Sequence, residues 1–298
     1  MAEDPRYELT TVPFFPQTIH QCGPAALATV LGATGIAVEP EALAPEVYLP
    51  GRRGSLQVEM LATARRHGRL AYVIEPRIET LLAEISAGNP VLVLQDLGAL
   101  GIRRWHYAAV VGFDPVSDVL VLRSGKDRRH VVRRERFLRT WQASDNWGVV
   151  VSRADTPPAT AAASGYVPTL LAAEPYLPAA DIDAAYTMML ARWPADPLVR
   201  FAAGNHAYGS GHLAEAINDY RTLLKVDPVH IAGLNNLANA LLDSGCAVDA
   251  LAKPGVQKSW LILLPLATAV ADTLDKALAA TTSVSATEGT GDSVCTAE

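Results

Sequence analysis

Residues 12–27 read VPFFPQTIHQCGPAAL, and the reading of this stretch decides the N-terminal half of the protein. A Pro- and Phe-rich approach gives way to an Ala/Leu-rich run, with Cys22 at the junction, directly before Gly23 and Pro24. Proline is at home in the first turn of a helix, where its missing N–H would have had no partner. The spacing therefore predicts a helix over 23–34 (GPAALATVLGAT) with Cys22 at its N-terminus. A thiol attacks as its thiolate, and the unpaired N–H groups and macrodipole of a helix N-terminus favour negative charge there. Gly23 lets a substrate backbone approach, and the Cys22 N–H is placed to help hold an oxyanion. The side-chain amide of Gln17 is the second candidate oxyanion donor, because it offers an N–H without a competing charge. Gln21 is its rival by adjacency; Gln17 is preferred because the residue just before a helix-start cysteine usually points elsewhere.

A nucleophilic thiol needs a base. His106 follows Arg103-Arg104-Trp105 and opens an apolar run, so it sits at a strand start, where its ring can face the helix N-terminus and shuttle a proton. The other histidines fit less well: His20 is two residues from Cys22, His67 ends a helix, His130 lies in a charged loop, and His206, His212 and His230 lie in the C-terminal half. A lone cysteine in an Ala/Leu-rich helix is ordinarily a small core residue. The flanking Gln17 and Gly23-Pro24, with a downstream His106, give Cys22 the chemical reading instead.

Working outward, 55–67 (SLQVEMLATARRH) predicts a second helix with Ser55 as its cap and Gly68 as its stop, and 78–87 a third. The runs 90–94, 106–111, 119–122 and 147–151 are short, rich in Val and Leu, and bounded by Gly, Asp, Asn or Pro, which predicts strands. The connection 112–118 is short enough for antiparallel neighbours, so this half is α+β, helices first and sheet second. Arg128-Arg129-His130 and Arg133-Arg134 read as a solvated strand edge.

The whole chain has 298 residues, 50% hydrophobic and 19% charged, enough to bury a sizeable core and to form about two domains, which excludes wholesale disorder. A net charge of -6 leaves no cationic excess for nucleic acid or an anionic membrane. Cys22, Cys246 and Cys295 are too few and too scattered for a disulfide framework or a zinc site, and no cofactor or metal is expected. The longest apolar run, 260–271, is interrupted by Pro265 and falls short of the roughly 20 residues a transmembrane helix needs. The N-terminus shows no basic cluster followed by an apolar run, so the compartment stays open: cytoplasmic as the chain stands, periplasmic or membrane-associated had a signal been removed.

Composition shifts near residue 155. The first domain is expected over 1–155, a small-residue, Pro-containing linker over 156–168, a helical region over 169–280 and a tail without fixed structure over 281–298. In the helical region Asn205, Gly211, Glu215 and Ala216 recur as Asn239, Gly245, Asp249 and Ala250 at an offset of 34 residues, and Asp227-Pro228 closes the first unit. This spacing resembles a tetratricopeptide repeat. Asp196-Pro197 marks a degenerate turn before it, and Leu213, Ile217 and Tyr220 supply an apolar stripe.

The pattern Gln17, four residues, then Cys22-Gly-Pro-Ala-Ala26, with HYAAVVG at 106–112 downstream, resembles the papain-like bacteriocin-processing cysteine peptidases, which cut leader peptides after a double glycine. The likeness covers roughly residues 9 to 152 and is nearest to stand-alone bacterial members with a C-terminal tetratricopeptide region, rather than to those fused to an export ATPase. It implies a papain-like fold, Cys22 as nucleophile, His106 as base, Gln17 as oxyanion donor, a peptide or protein substrate, and a protein partner docking on the repeats. Two departures stand out. The family commonly has five residues between Gln and Cys, against four here. The acid that orients the histidine should fall in 121–124 (VLRS), where none stands. Ser124 can accept from the imidazole instead, Asp127 can fold back to it, and Asp114 lies at the far end of the same strand. The alternative is a papain-like peptide-binding scaffold with weak or no catalysis.

Overall fold

Cys22 begins a helix: α1 runs Cys22–Ala33, and every residue from Gly23 to Leu31 is buried. A helix apolar on all sides must be covered on all sides. Here α1 lies between a β-sheet and two further helices, α2 (Pro40–Val47) and α3 (Gln57–Arg66). The computed structural model describes residues 7–16, 22–49, 51, 54–99 and 102–245, and the chain divides into two units with the boundary between Ala185 and Tyr186.

The N-terminal unit is built on an antiparallel sheet of β1 (Tyr7–Glu8), β4 (Leu70–Val73), β5 (Val91–Asp96), β6 (Trp105–Asp114), β7 (Val119–Ser124), β8 (Asp127–Arg133) and β9 (Gly148–Ser152). Its order is β4-β9-β5-β6-β7-β8, with β1 added to the far end of β6. The four runs read as strands are the buried centre, β9-β5-β6-β7. Both faces of these strands are covered, so they carry unbroken apolar runs. Alternate residues of β6, Tyr107, Ala109 and Val111, join Leu27, Leu31, Leu92, Val121 and Val149 in the core beneath α1. His106, one residue out of phase, belongs to the opposite face. That face is covered in part by α5 (Arg134–Gln142), which buries Phe137 and Trp141.

The structure departs from the sequence reading at three places in this unit. Helix α3 starts at Gln57 with Leu56 as its uncapped N-terminal neighbour, so Ser55 is not a cap. Its backbone pairs in a two-stranded ribbon, β2 (Tyr48–Leu49) with β3 (Gly54–Ser55). His130, set aside among the histidines as lying in a charged loop, is in a strand, β8, the exposed edge that the run Arg128-Arg129-His130 reads as. The stretch read as a linker, 156–168, is held in place. The buried Glu84 carboxylate, on α4 (Ile78–Ser86), accepts from the N–H groups of Ala159 (3.1 Å) and Thr160 (2.7 Å) and from the Thr160 hydroxyl. From Ala163 the chain is helical, α6 (Ala163–Ala173), and buries Tyr166, Val167 and Leu170.

The C-terminal region is helical. After α7 (Ala179–Arg192) come α8 (Pro197–Gly209), α9 (Leu213–Val226) and α10 (Ile231–Asp243), each packing on the next, with Ala207, Ala216, Ile217, Tyr220, Leu237 and Leu241 in their shared core. Gly211 and Gly245 both take left-handed backbone (φ 79° and 83°) just after α8 and α10, so the 34-residue match corresponds to two equivalent helix ends. The two Asp-Pro pairs are not equivalent. Asp196 caps α8 by accepting from the Leu198 and Val199 N–H groups, whereas Asp227 follows α9 and the cap of α10 is His230. The expected further helix at 261–280, the tail at 281–298, Cys246 and Cys295 lie outside the described residues. Among the described residues no helix is long and apolar enough to cross a membrane.

Candidate active site

Strand β7 leaves the sheet early. Its pairing with β6 begins at Ala109 opposite Arg123, while β5 pairs with β6 as far as Trp105. In an antiparallel strand successive N–H groups point to alternate sides. The even residues of β6 serve β5, so the Tyr107 N–H points to the side where β7 has already ended. The mouth of α1 fills this notch, and the Tyr107 N–H is directed at the Cys22 sulfur, together with those of Gly23 and Cys22 itself. Cys22 is thus brought against the residue that follows His106. The approach depends on Gly23: a Cβ there would lie 2.2 Å from the Ser55 hydroxyl oxygen, so only glycine lets β3 pack against the helix mouth.

His106 is half-buried, and its Nε2 lies 2.9 Å from the Ser124 hydroxyl at the end of β7. With Ser124 engaging Nε2, Nδ1 is the nitrogen left for other work. The rival acids are occupied elsewhere. Asp127 sits 3.5 Å from His130 Nδ1, and Asp114 accepts from the Val116 and Ser117 N–H groups in the β6–β7 turn. Gln17, Gln21 and His20 lie outside the described residues. Of the site candidates singled out in the sequence, Cys22, His106, Ser124 and Asp127 line one cleft of about 1690 Å³, and Asp114 does not. The sequence reading missed the Tyr107 backbone N–H, whose role depends on where β7 ends and which no residue type signals.

Burial pushes the Cys22 thiol above its ordinary range, against the three N–H groups that favour its anion. Burial likewise lowers the His106 imidazole to about 4, helped by the positive charges of Arg104 and His130. The resting pair at neutral pH is therefore a neutral thiol and a neutral imidazole. Tyr107 stays protonated because burial and the nearby sulfur disfavour its phenolate, and its hydroxyl donates to the Ser55 carbonyl (3.2 Å). Among the described residues no group of three or more His, Cys, Asp and Glu side chains is arranged to hold a metal ion.

Three solved structures illustrate what the chain resembles. A C39-like peptidase from Bacillus anthracis aligns at 19% identity over 49% of this chain and 96% of that one, with a TM-score of 0.42. The peptidase domain of Streptococcus ComA, a bifunctional ABC transporter of a quorum-sensing pathway, aligns at 20% identity over 49% and 97%, TM-score 0.39. A double-glycine-motif protease from an AMS/PCAT transporter, solved with its leader peptide, aligns at 19% identity over 48% and 91%, TM-score 0.37. No curated protein sequence matches the chain. Residues 9–149, which contain Cys22, His106 and Ser124, match the Peptidase_C39 like family, and this match supports a cysteine-peptidase function for the N-terminal unit.

Proposed function

We propose that the N-terminal unit hydrolyses peptide bonds with Cys22 as nucleophile and His106 as general base, oriented by Ser124. The observation that carries the reading is the common cleft: Cys22, whose sulfur the Tyr107 N–H approaches, and His106, held through Nε2 by Ser124, both line it. Because both groups rest neutral, His106 Nδ1 takes the thiol proton as sulfur attacks the scissile carbonyl carbon. The oxyanion that forms is held by backbone N–H at the helix mouth and by the Gln17 amide. Collapse breaks the C–N bond, His106 returns its proton to the leaving amine, and a thioester remains. Water, deprotonated by His106, attacks the thioester carbon and releases the carboxylate and the thiol.

The helical region is proposed as a tetratricopeptide-type array that docks a protein partner. The paired left-handed glycines at a spacing of 34 and the successive α8, α9 and α10 hairpins support it.

A second reading, a papain-like module that binds peptides without cutting, draws support from the hydroxyl of Ser124 standing beside His106 in place of a carboxylate. Iodoacetamide labelling of the full chain, mapped by mass spectrometry across all three cysteines, separates the two. The peptidase reading expects Cys22 to label selectively, with a rate that falls at least tenfold in His106→Ala, and expects a matched amine and carboxylate from a cleaved peptide. Labelling of Cys22 that ignores His106, with no hydrolysis, would leave only the binder.

A further inference from the structure

The chain as a whole is acidic, with a net charge of -6, yet the cleft containing Cys22 and His106 is lined by cations. Arg103 and Arg104 come from the β5–β6 connection, Lys126 from the β7–β8 turn, and Arg136 and Arg139 from one face of α5. All five are exposed. Arg136 and Arg139 are three residues apart on the helix, beside Thr140, while Phe137 and Trp141 on its other side are buried, so α5 turns its charged stripe to the cleft.

Against these five stand two lining carboxylates, Asp127 and Asp145, and Asp127 already faces His130. Arg103 is partly answered by the Asp96 charge and lies over the Trp105 ring at 5.3 Å. Arg104, Lys126, Arg136 and Arg139 have no ion-pair partner among the described residues. The positive charge of Arg104 also reaches the reacting centre, since it helps to lower the His106 imidazole. The basic runs of the sequence are not the source of this charge: Arg129 pairs with Glu8 and Arg134 with Asp118, and of those runs only His130 lines the cleft.

Like charges held around a concave site, in a molecule otherwise of the opposite sign, repel one another and draw in a ligand of complementary charge. We infer that the cleft selects peptides carrying several Asp or Glu residues around the segment to be cut. The inference deepens the peptidase reading and rests on it for the identity of the ligand as a peptide. Leu56, Leu97 and Trp105, which also line the cleft, supply apolar surface between the cations, as a peptide with mixed side chains requires.

The test uses the full chain with Cys22→Ala, so that binding is read without turnover. Two fluorescein-labelled twelve-residue peptides of Gly, Ala and Leu carry either four Glu or four Gln at the same positions. Exposed ion pairs are individually weak, and several together should give the Glu peptide about a tenfold lower Kd at low salt. The advantage should shrink as salt rises to physiological strength and above. The double substitution Arg136→Glu/Arg139→Glu, on exposed positions of α5, should abolish or invert the preference, and circular dichroism checks that it folds.

Equal binding of the two peptides, a preference that persists at high salt, or a preference untouched by the α5 reversal would overturn the inference. So would a labelled twelve-residue oligothymidylate that binds more tightly than the Glu peptide. Turnover by the unsubstituted chain is read separately. Hydrolysis of both peptides at equal rate sinks the charge preference and leaves the peptidase standing, while acid-selective binding without hydrolysis sinks the peptidase and leaves the preference standing.

Discussion

Replacing Ser124 by Asp should restore a charge partner to His106. The hydroxyl oxygen lies 2.9 Å from Nε2, and a carboxylate is one bond longer, so one of its oxygens can take up the same hydrogen bond. At a charge separation of about 4 Å and an effective dielectric constant of about 20, Coulomb attraction for the imidazolium is about 4 kcal/mol. The cleft is open to solvent, and hydrogen bonds to charged groups contribute about 1.5–3 kcal/mol in practice. That range corresponds to a rise of roughly one to two pKa units, from about 4 in the present protein. Because the imidazolium forms as the thiol loses its proton, iodoacetamide alkylation of Cys22 at pH 7 should speed up by about tenfold or more.

The pH dependence of stability gives a second reading of the same substitution. A histidine whose folded value lies below its unfolded value of about 6.5 binds more protons when unfolded. Its contribution is complete above pH 6.5 and is lost as pH falls through the folded value near 4. Two and a half units set an upper bound of about 3 kcal/mol on that loss. Ser124→Asp should narrow the window by raising its lower edge. The assay is the chemical-shift titration of the His106 ring in Cys22→Ala, with and without Ser124→Asp, alongside the alkylation rates. An imidazole that does not move upward, or alkylation that slows, would refute the assignment of Ser124 as the orienting group.

Two further expectations follow from packing. Gly23→Ala should cost about 1–3 kcal/mol, the usual penalty of overpacking, because its Cβ would meet the Ser55 hydroxyl at 2.2 Å. Thermal unfolding should show Gly23→Ala harmful in the natural chain and nearly silent when Ser55 is already Gly; equal penalties in both backgrounds would rule out that contact. Glu84→Ala should strip the Ala159 and Thr160 N–H groups of their acceptor and destabilise by about 2–4 kcal/mol. Urea unfolding gives the magnitude, and faster hydrogen exchange at Thr160 marks the place; unchanged exchange there would show that Glu84 does not hold this stretch.

The strands β5, β6, β7 and β9 were legible because a buried central strand has apolar residues on both faces, a property of composition that survives without any knowledge of neighbours. Helix α1 was legible for a similar reason, with Pro24 marking its start. Edge strand β8 was legible only as a charged, solvated edge, and amphipathic α5 was not legible at all, since their residues are mostly charged and only the pairing with β7 and the packing on the sheet fix what they become. Ser55 looked like a helix cap because capping is a local rule, and a longer-range contact with Gly23 and the pairing of β2 with β3 overrode it.

By itself, the amino-acid order specified the thiol at a helix mouth and a histidine at a strand start, because each is a matter of residue type and local spacing; the want of an acid after the histidine showed only against the family pattern that the chain resembles. Which side chain stands beside His106 was beyond it: Ser124, Asp127 and Asp114 were all within reach along the chain, and only the register of β6 against β7 separates them. The same holds for the charge of the cleft. Arg104, Lys126, Arg136 and Arg139 are scattered among other cations in the sequence, and a field is set by distances in space, which the folding of two strand connections and of α5 around one cleft decides.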